Sequence, residues 1–198
     1  MYKRTDRVID YLLEEFIKLF NKAKVITHYD ELNVISYSKE LYTRIDELVK
    51  EAFLELAKST AKEVVDVAEE LITMEWLLGI LNEYNPLTKY RYETELERKR
   101  QRFAEAVIAS NENKEDEIEK ALNYISRMMS QYALEVTDSA LQVGYEQLGI
   151  KKVMWHTEED DKVCEKCKKM NKKIYPIDKI PIKPHWNCRC YVLPVKGE

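Results

Sequence analysis

The sequence feature that most constrains this chain is a group of cysteines confined to its C-terminal part. All four cysteines of the 198 residues lie between positions 164 and 190. They form two close pairs, Cys164-x-x-Cys167 and Cys188-x-Cys190, and His185 stands three residues before the second pair. The segment around them is short, irregular and poor in large aliphatic side chains. A module of this kind needs a cross-link or a metal ion to hold a fold.

A tetrahedral zinc site takes four donors, which are commonly supplied as two chelating pairs. Cys-x-x-Cys can direct both thiolates from a tight turn to one point, and alternate residues of an extended segment project to the same face. We expect the four cysteines to be the ligands. His185 would either replace one of them or lie outside the coordination sphere. Four protein ligands leave no position for water, so the sequence predicts a structural zinc ion whose binding contributes to folding.

Disulfides are an alternative to the metal, and unligated thiols are another. A bridge within Cys188-x-Cys190 would close a strained ring, so disulfides would join one pair to the other. The N-terminal sequence lacks the apolar core of a signal peptide, and no apolar run of about 18 residues could span a bilayer. We therefore expect a cytoplasmic chain without membrane contact. In that compartment clustered cysteines more often bind metal than form disulfides.

The residues before the cysteines carry helical patterns. Apolar side chains recur at three- and four-residue spacing over about 4–27, 37–84 and 118–145, as in amphipathic helices. Ser36 or Ser38 is expected to cap the second helix, and the polar stretch at Ser59 and Thr60 to bend or divide it. Charged residues make up 34 % of the chain and only 4 residues are glycine. This composition favours long solvated helices over a sheet protein.

Turn residues divide the chain. Asn85-Pro86 is a stop signal, a polar turn at 111–117 begins the last long helix, and Gly144 and Gly149 are expected to end it. Three short β-like pieces follow, at 153–155, 173–175 and 191–193.

The expected fold is therefore mainly α, with long amphipathic helices followed by a small irregular α+β Cys/His module with short strands. The expected parts are a helical arm or bundle over 1–84, a second helical part over 85–150 and the module over 151–198.

One stretch is strongly basic, and its densest cluster consists of Arg98, Lys99, Arg100 and Arg102. One interpretation is a solvated helix face whose bases pair with the glutamates between positions 93 and 105. The other is a contact with DNA phosphate or with an acidic partner surface. The formal net charge is −4, which gives no overall attraction to nucleic acid. A contact with DNA would therefore depend on this local cluster.

Catalysis is not predicted. An acidic run at 158–161 follows His156, and a metal ion with carboxylates such as Glu159 and Asp160 nearby is a hydrolase arrangement. An acidic loop that accepts backbone hydrogen bonds explains the run more simply. His28 and His156 are isolated, and the chain has no nucleophile elbow, phosphate-binding glycine loop or paired-histidine motif. A zinc-ribbon module that binds nucleic acid is the alternative from another class.

The C-terminal residues resemble the phage Mu protein F-like domain, also called the phage head morphogenesis domain of minor capsid proteins. The residues that carry the resemblance are Trp155, Thr157, Asp160, Val163-Cys164-x-x-Cys167, Pro184-His185-x-x-Cys188-Arg189-Cys190 and Leu193-Pro194. The segments Y-N-P-L-T-K-Y and E-V-T-D-S-A-L-Q-V-G-Y-E-Q-L-G extend the similarity, which covers roughly residues 85 to 195. Residues 1 to 84 match only as generic helix.

The resemblance implies a structural protein of the phage head that is not an enzyme. Proteins of this family are minor head components, internal to the capsid and associated with the portal, with roles in head assembly and in DNA packaging or ejection. The implied partners are the portal protein, capsid components and phage DNA, together with self-association through helices. The implied locations are the cytoplasm of the infected bacterium and then the virion.

Overall fold

Six α-helices and three strands make up the regular structure of the residues that the computed structural model describes, which are 2–23, 31–84, 86–87, 89–110, 114–158 and 163–195. The helices are α1 (Lys3–Ala23), α2 (Glu31–Val64), α3 (Met74–Leu81), α4 (Tyr92–Ala109), α5 (Lys114–Gln147) and α6 (Glu165–Met170). The strands are β1 (Lys152–His156), β2 (Ile174–Pro176) and β3 (Tyr191–Pro194). Short 3₁₀ helices cover Asp66–Leu71 and Ile177–Lys179. The predicted mainly α fold with a small C-terminal sheet is confirmed.

Helix α5 lies at the centre, since α1, α2, α3 and α4 all contact it. Its apolar residues at helical spacing are buried, among them Ile118, Ile125, Tyr132 and Val136. Each such side chain contributes roughly 1.5–3 kcal/mol by leaving water. The helices before residue 84 and those after it share this one hydrophobic core. The N-terminal helices therefore fold back as a bundle and do not extend as an arm.

Aromatic side chains join α1, α2 and α4 on one side of the bundle. The ring of Phe20 lies edge-on to Phe103, with centroids 5.8 Å apart, and to Tyr42 at 6.4 Å. Edge-to-face pairs of this kind contribute about 0.5–1.5 kcal/mol beyond their buried area. Because Phe20 lies in the last turn of α1, the cluster fixes that end of the helix against its neighbours.

The expected serine cap of α2 is wrong. The helix begins at Glu31, upstream of both serines, because Val34 already faces the core. Ser38 is buried within the helix, where its hydroxyl donates to the Ile35 carbonyl at 2.8 Å. The expected division at Ser59 is wrong as well, since that hydroxyl donates to the Leu56 carbonyl at 3.0 Å and the helix runs on to Val64.

The two glycines of α5 have different roles. Gly149 follows the helix with a φ of +70°, a left-handed conformation that favours glycine, and the predicted stop at this position is confirmed. Gly144 lies inside the helix, so its predicted role as a stop is wrong. A Cβ built on Gly144 would lie 2.6 Å from the Cβ of Val64. Its missing side chain lets α5 cross the end of α2 at close range.

The sheet is antiparallel with strand order β2-β1-β3, and its strands coincide with the three β-like pieces of the sequence. Val153 pairs with Tyr175 on one side, and Trp155 pairs with Val192 on the other. The sheet packs on the last turns of α5, where Leu141 and Tyr145 join a second core with Val153, Trp155 and Val192. The hydroxyl of Tyr145 donates to the Val192 carbonyl at 3.4 Å. The Tyr145 side chain thereby covers part of the outer edge of β3.

Several expectations fall outside the described residues. These are His28 and the end of the first helical pattern, Asn85 of the stop signal, the start of the polar turn at 111–113, and Glu159, Asp160 and Asp161 of the acidic run. Among the helices described, none has the length and apolarity needed to cross a membrane.

The glycine contact gives a stability prediction. Gly144→Ala should lower the free energy of unfolding by about 1–3 kcal/mol, because the new methyl group overlaps Val64 at a helix crossing. Gly79→Ala is the matched control, since nothing lies within 4 Å of a Cβ at that position in α3. It should leave stability unchanged or raise it by up to about 1 kcal/mol through helix propensity. Urea unfolding followed by circular dichroism measures both, and equal stabilities of the two variants would contradict the close crossing.

Candidate metal centre

Cys167 is the residue around which the five predicted donors gather. Its sulfur forms one group with Cys164 and His185, and a second group with Cys188 and Cys190; within each group all donor atoms lie within 4.8 Å of one another. The Cys167 sulfur lies 3.3 Å from His185 Nε2 and 3.6 Å from the Cys188 sulfur. Two thiolates of a tetrahedral zinc site are separated by about 3.8 Å, given Zn–S bonds of about 2.3 Å. The spacing therefore suits donors that share one ion.

All four cysteines are free thiols in the structure. The 3.6 Å between the sulfurs of Cys167 and Cys188 is well beyond a disulfide bond of about 2.05 Å. Cys167, Cys188 and Cys190 are buried, whereas Cys164 is partly exposed. The cluster thus has a buried side in the second core and one donor nearer to solvent.

The first pair is held by the start of α6. Cys164 is the N-cap residue, and its sulfur accepts the backbone N–H of Cys167 at 3.4 Å. This backbone hydrogen bond lowers the pKa of the Cys164 thiol to about 7, as is typical of a thiol at a helix N-terminus. Burial acts in the opposite direction on Cys167 and raises its pKa strongly, while it raises the pKa of Cys190 to about 11. A cation would favour the thiolate form of all three.

The second pair and His185 lie on the segment between the 3₁₀ helix Ile177–Lys179 and β3. The Nδ1 atom of His185 lies 2.9 Å from the backbone carbonyl oxygen of Trp186. An N–H at Nδ1 donates to that oxygen, and the lone pair of neutral imidazole is then on Nε2, which faces the Cys167 sulfur. A backbone carbonyl on the second ring nitrogen is the usual partner of a metal-ligating histidine.

Helix α5 anchors this segment through residues that sequence reasoning missed. The backbone N–H of Asn187, which has a φ of +51°, donates to Gln131 Oε1 at 2.7 Å. Gln131 is fully buried, and its amide nitrogen donates to Glu135 at 2.7 Å. The indole N–H of Trp186 donates to the Leu87 carbonyl at 3.2 Å. The segment that carries His185, Cys188 and Cys190, here called the donor loop, is thus fixed on two sides by groups more than 50 positions away in sequence.

A polar network links the loop to the first helix. The Tyr2 hydroxyl lies 2.7 Å from Asp138 Oδ1 and 2.9 Å from the carbonyl oxygen of Cys190. The Lys183 ammonium donates to the Tyr2 hydroxyl at 2.8 Å and pairs with Asp138 at 2.6 Å. Burial raises the pKa of Tyr2 well above its usual value, and the charge of Asp138 raises it further. None of these three side chains has a local sequence pattern that marks it.

Trp155 adds a buried donor beside the thiols. Its indole N–H is buried and has no hydrogen-bond partner at ordinary distance in the described part of the chain, yet it lies near enough to the Cys190 sulfur to oppose the rise in that thiol's pKa. An orphaned donor next to a buried sulfur suits a thiolate, which accepts such a hydrogen bond readily. The donor set, its spacing and this indole all fit a metal ion, so the cluster can hold one.

The four predicted basic residues do not form one surface. Arg100 is directed to α2, where it donates to the Ser38 hydroxyl at 3.1 Å, and it also pairs with Glu97. The Arg98 guanidinium lies 4.4 Å from the ring centroid of Tyr90.

Lys99 and Arg102 remain on the side of α4 that faces α5. The Lys99 ammonium lies 4.7 Å from the ring centroid of Tyr124, which is about half exposed. Burial lowers the pKa of Lys99, and the charges of Arg98, Arg102 and Arg127 lower it further, although Glu95 opposes them. Arg127 of α5 thus belongs to this cationic group, and the sequence did not indicate it.

Comparison with protein families identifies the C-terminal part of the chain. Residues 100–193 match the family model of Phage Mu protein F like protein. Comparison with curated proteins and with solved structures gave no significant match. The matched stretch begins in α4 and ends in β3, so it contains α5, the sheet and all five donors. Over residues 100–193, the chain is therefore similar to the phage Mu protein F-like family, which supports the resemblance carried by the cysteine and histidine residues.

Proposed function

We propose that this protein is a minor head component of a phage, with a structural and not an enzymatic role in head morphogenesis. The observation that carries the proposal is the family match over residues 100–193, which encloses the donor cluster and the helix that supports it. The protein would be made in the cytoplasm of the infected bacterium and be located inside the head of the virion. Its helices would serve assembly contacts, including self-association.

The donor cluster is proposed to hold one structural zinc ion. Cysteine and histidine are the donors that zinc prefers, and the other four donors each lie within 4.8 Å of the Cys167 sulfur. Five donors for four places leave no ligand position for a reactive water, which favours a structural site over a hydrolytic one. The second core is small, and besides Trp155 and Tyr145 its buried residues other than cysteine are Leu141, Val153, Ile177 and Val192. The ion would therefore supply much of the module's stability.

The portal protein is the partner we propose, and a cleft beside the module is the proposed contact. The cleft has a volume of about 330 Å³ and lies between α5, the segment after α3 and residues 180–183. Two large apolar side chains at its edge are exposed, Tyr84 by 61 % and Ile182 by 68 %. Exposed apolar groups around a concave surface are typical of a protein contact. The polar side chains that line the cleft would fix the orientation of the bound segment.

Phage DNA is a second proposed partner, at the cationic group between α4 and α5. Lys99 lies over the exposed ring of Tyr124, and Arg102 and Arg127 lie near enough to Lys99 for their charges to lower its pKa. Clustered cations bind phosphate without regard to sequence, and an exposed aromatic ring can contact a base or sugar. The group is small and the whole chain carries a formal charge of −4, so the affinity for DNA would be modest. This is where packaged or ejected DNA would contact the protein.

The zinc proposal predicts the effect of losing the central donor. Protein purified without added zinc should contain one ion per chain, and Cys167→Ser should lose it. Proteolysis of the variant should then begin after Trp155, while helical circular dichroism stays largely intact because the bundle has its own core. Lys169→Ser is the control, as an exposed change on the same helix. Stoichiometric zinc in Cys167→Ser, or unchanged protease resistance after Trp155, would contradict the proposal.

The portal proposal predicts a contrast between two exposed isoleucines of the module. Co-expressed with the portal protein of its phage, the wild-type chain should sediment with the portal ring. Ile182→Asp should abolish co-sedimentation, because a carboxylate would be buried in an apolar contact. Ile174→Asp is the matched control on the free edge of the sheet, at 54 % exposure, and should sediment like wild type. Wild-type protein that does not sediment with the portal ring, or equal co-sedimentation of the two variants, would contradict this contact.

The DNA proposal predicts a salt dependence. Binding of duplex DNA of unrelated sequences should weaken as salt rises, and Arg102→Ala with Arg127→Ala should reduce the slope of log K against log salt by about 2. Arg7→Ala with Arg44→Ala removes the same charge from exposed sites elsewhere. This control should keep a slope of log K against log salt close to that of the wild type. If the two double variants have the same slope, the cationic group is not the binding site.

A further inference from the structure

The first helix reaches the candidate metal centre through one buried side chain. Tyr2 precedes α1, and only 1 % of its surface is exposed. Its hydroxyl oxygen lies 2.9 Å from the Cys190 carbonyl oxygen, across a sequence separation of 188 residues. The phenol therefore contacts the backbone of one donor of the second pair.

The network around the phenol explains why this position is occupied by tyrosine. The hydroxyl has one proton, which it shares between Asp138 Oδ1 at 2.7 Å and the Cys190 carbonyl. The Lys183 ammonium donates a hydrogen bond to the phenol oxygen at 2.8 Å, and its nitrogen lies 4.9 Å from the ring centroid. A phenylalanine could fill the same volume and keep the ring contacts. It could not accept from Lys183 or donate to Cys190.

The contact with the Cys190 carbonyl also restricts the position of the Cys190 sulfur. A ligand position is set by the backbone that carries it, and groups that hold that backbone act as an outer shell of the metal site. Cys190 directly precedes β3, so its carbonyl would otherwise be an unpaired acceptor at the outer edge of the sheet. Tyr2 satisfies this acceptor and limits the movement of the second pair.

We propose that Tyr2 is an outer-shell residue of the metal centre, so that metal binding and the docking of α1 stabilise each other. The inference rests on the proposed metal site. Coupling between two binding events is reciprocal. The free energy by which docked α1 strengthens metal binding equals the free energy by which bound metal stabilises the docking of α1. The exposed ion pair between Arg189 and Asp6 at 3.1 Å also joins the loop to α1, but a pair of that kind contributes little.

The first test measures metal affinity. Zinc binding is measured by competition with a chromogenic chelator, and cobalt binding by the absorption of its thiolate complex. Tyr2→Phe should bind either ion about 10–100-fold more weakly, in the range known for outer-shell changes. Tyr11→Phe removes a hydroxyl from a half-exposed position within α1 and should match the wild type. Equal affinities of Tyr2→Phe and Tyr11→Phe would overturn the inference.

The second test needs no variant. Hydrogen exchange of the wild-type chain is followed before and after removal of the metal with a chelator. Exchange in the first turns of α1 should become faster after chelation, whereas exchange in the middle of α2 around Ile45 should not change. Unchanged exchange in α1 would overturn the coupling even if the metal site is real. A wild-type chain that binds neither zinc nor cobalt would overturn the metal site itself, so the two failures are distinguishable.

Discussion

The fold depends on one helix being long enough to belong to two cores. Helix α5 has 34 residues, which corresponds to about 50 Å at 1.5 Å per residue. Its residues up to Ala140 pack in the bundle, and Leu141 and Tyr145 pack with the sheet and the thiols. Because a helix is stiff over this length, the module has a defined position relative to the bundle. A module with so few large apolar residues would not hold that position by itself.

The same helix gives the cysteine and histidine cluster its polar support. Gln131 and Asp138 lie seven residues apart, which is two helical turns, so their side chains emerge on one face. One holds the turn at Asn187 and the other joins Tyr2 and Lys183. The donor loop is therefore fixed at two heights along α5, one on each side of Cys188. This arrangement allows a loop without regular secondary structure to place His185, Cys188 and Cys190 within 4.8 Å of Cys167.

The parts of the fold that repeat locally could be predicted from the sequence. The apolar spacing indicated α1 and α5, short β-like pieces punctuated by prolines indicated the strands, and the cysteine pairs indicated the donor cluster. The contacts of Tyr2, Gln131 and Lys183 could not be predicted, since each joins residues distant in sequence and none belongs to a periodic pattern. The serine cap was wrong for a related reason. A hydroxyl can cap a helix only if the helix begins next to it. Here the core contact of Val34 extends the helix upstream of both serines.

Helical geometry also explains why a dense basic cluster in sequence is not one basic surface in space. Successive residues of a helix are about 100° apart, so bases at adjacent positions point in different directions. Arg100 is directed to α2, while Lys99 and Arg102, three positions apart, share the side near Arg127. A charge count over a window would include Arg100 in a nucleic-acid patch. The packing removes it and adds Arg127, so the cationic group is defined by two helices and not by one stretch of sequence.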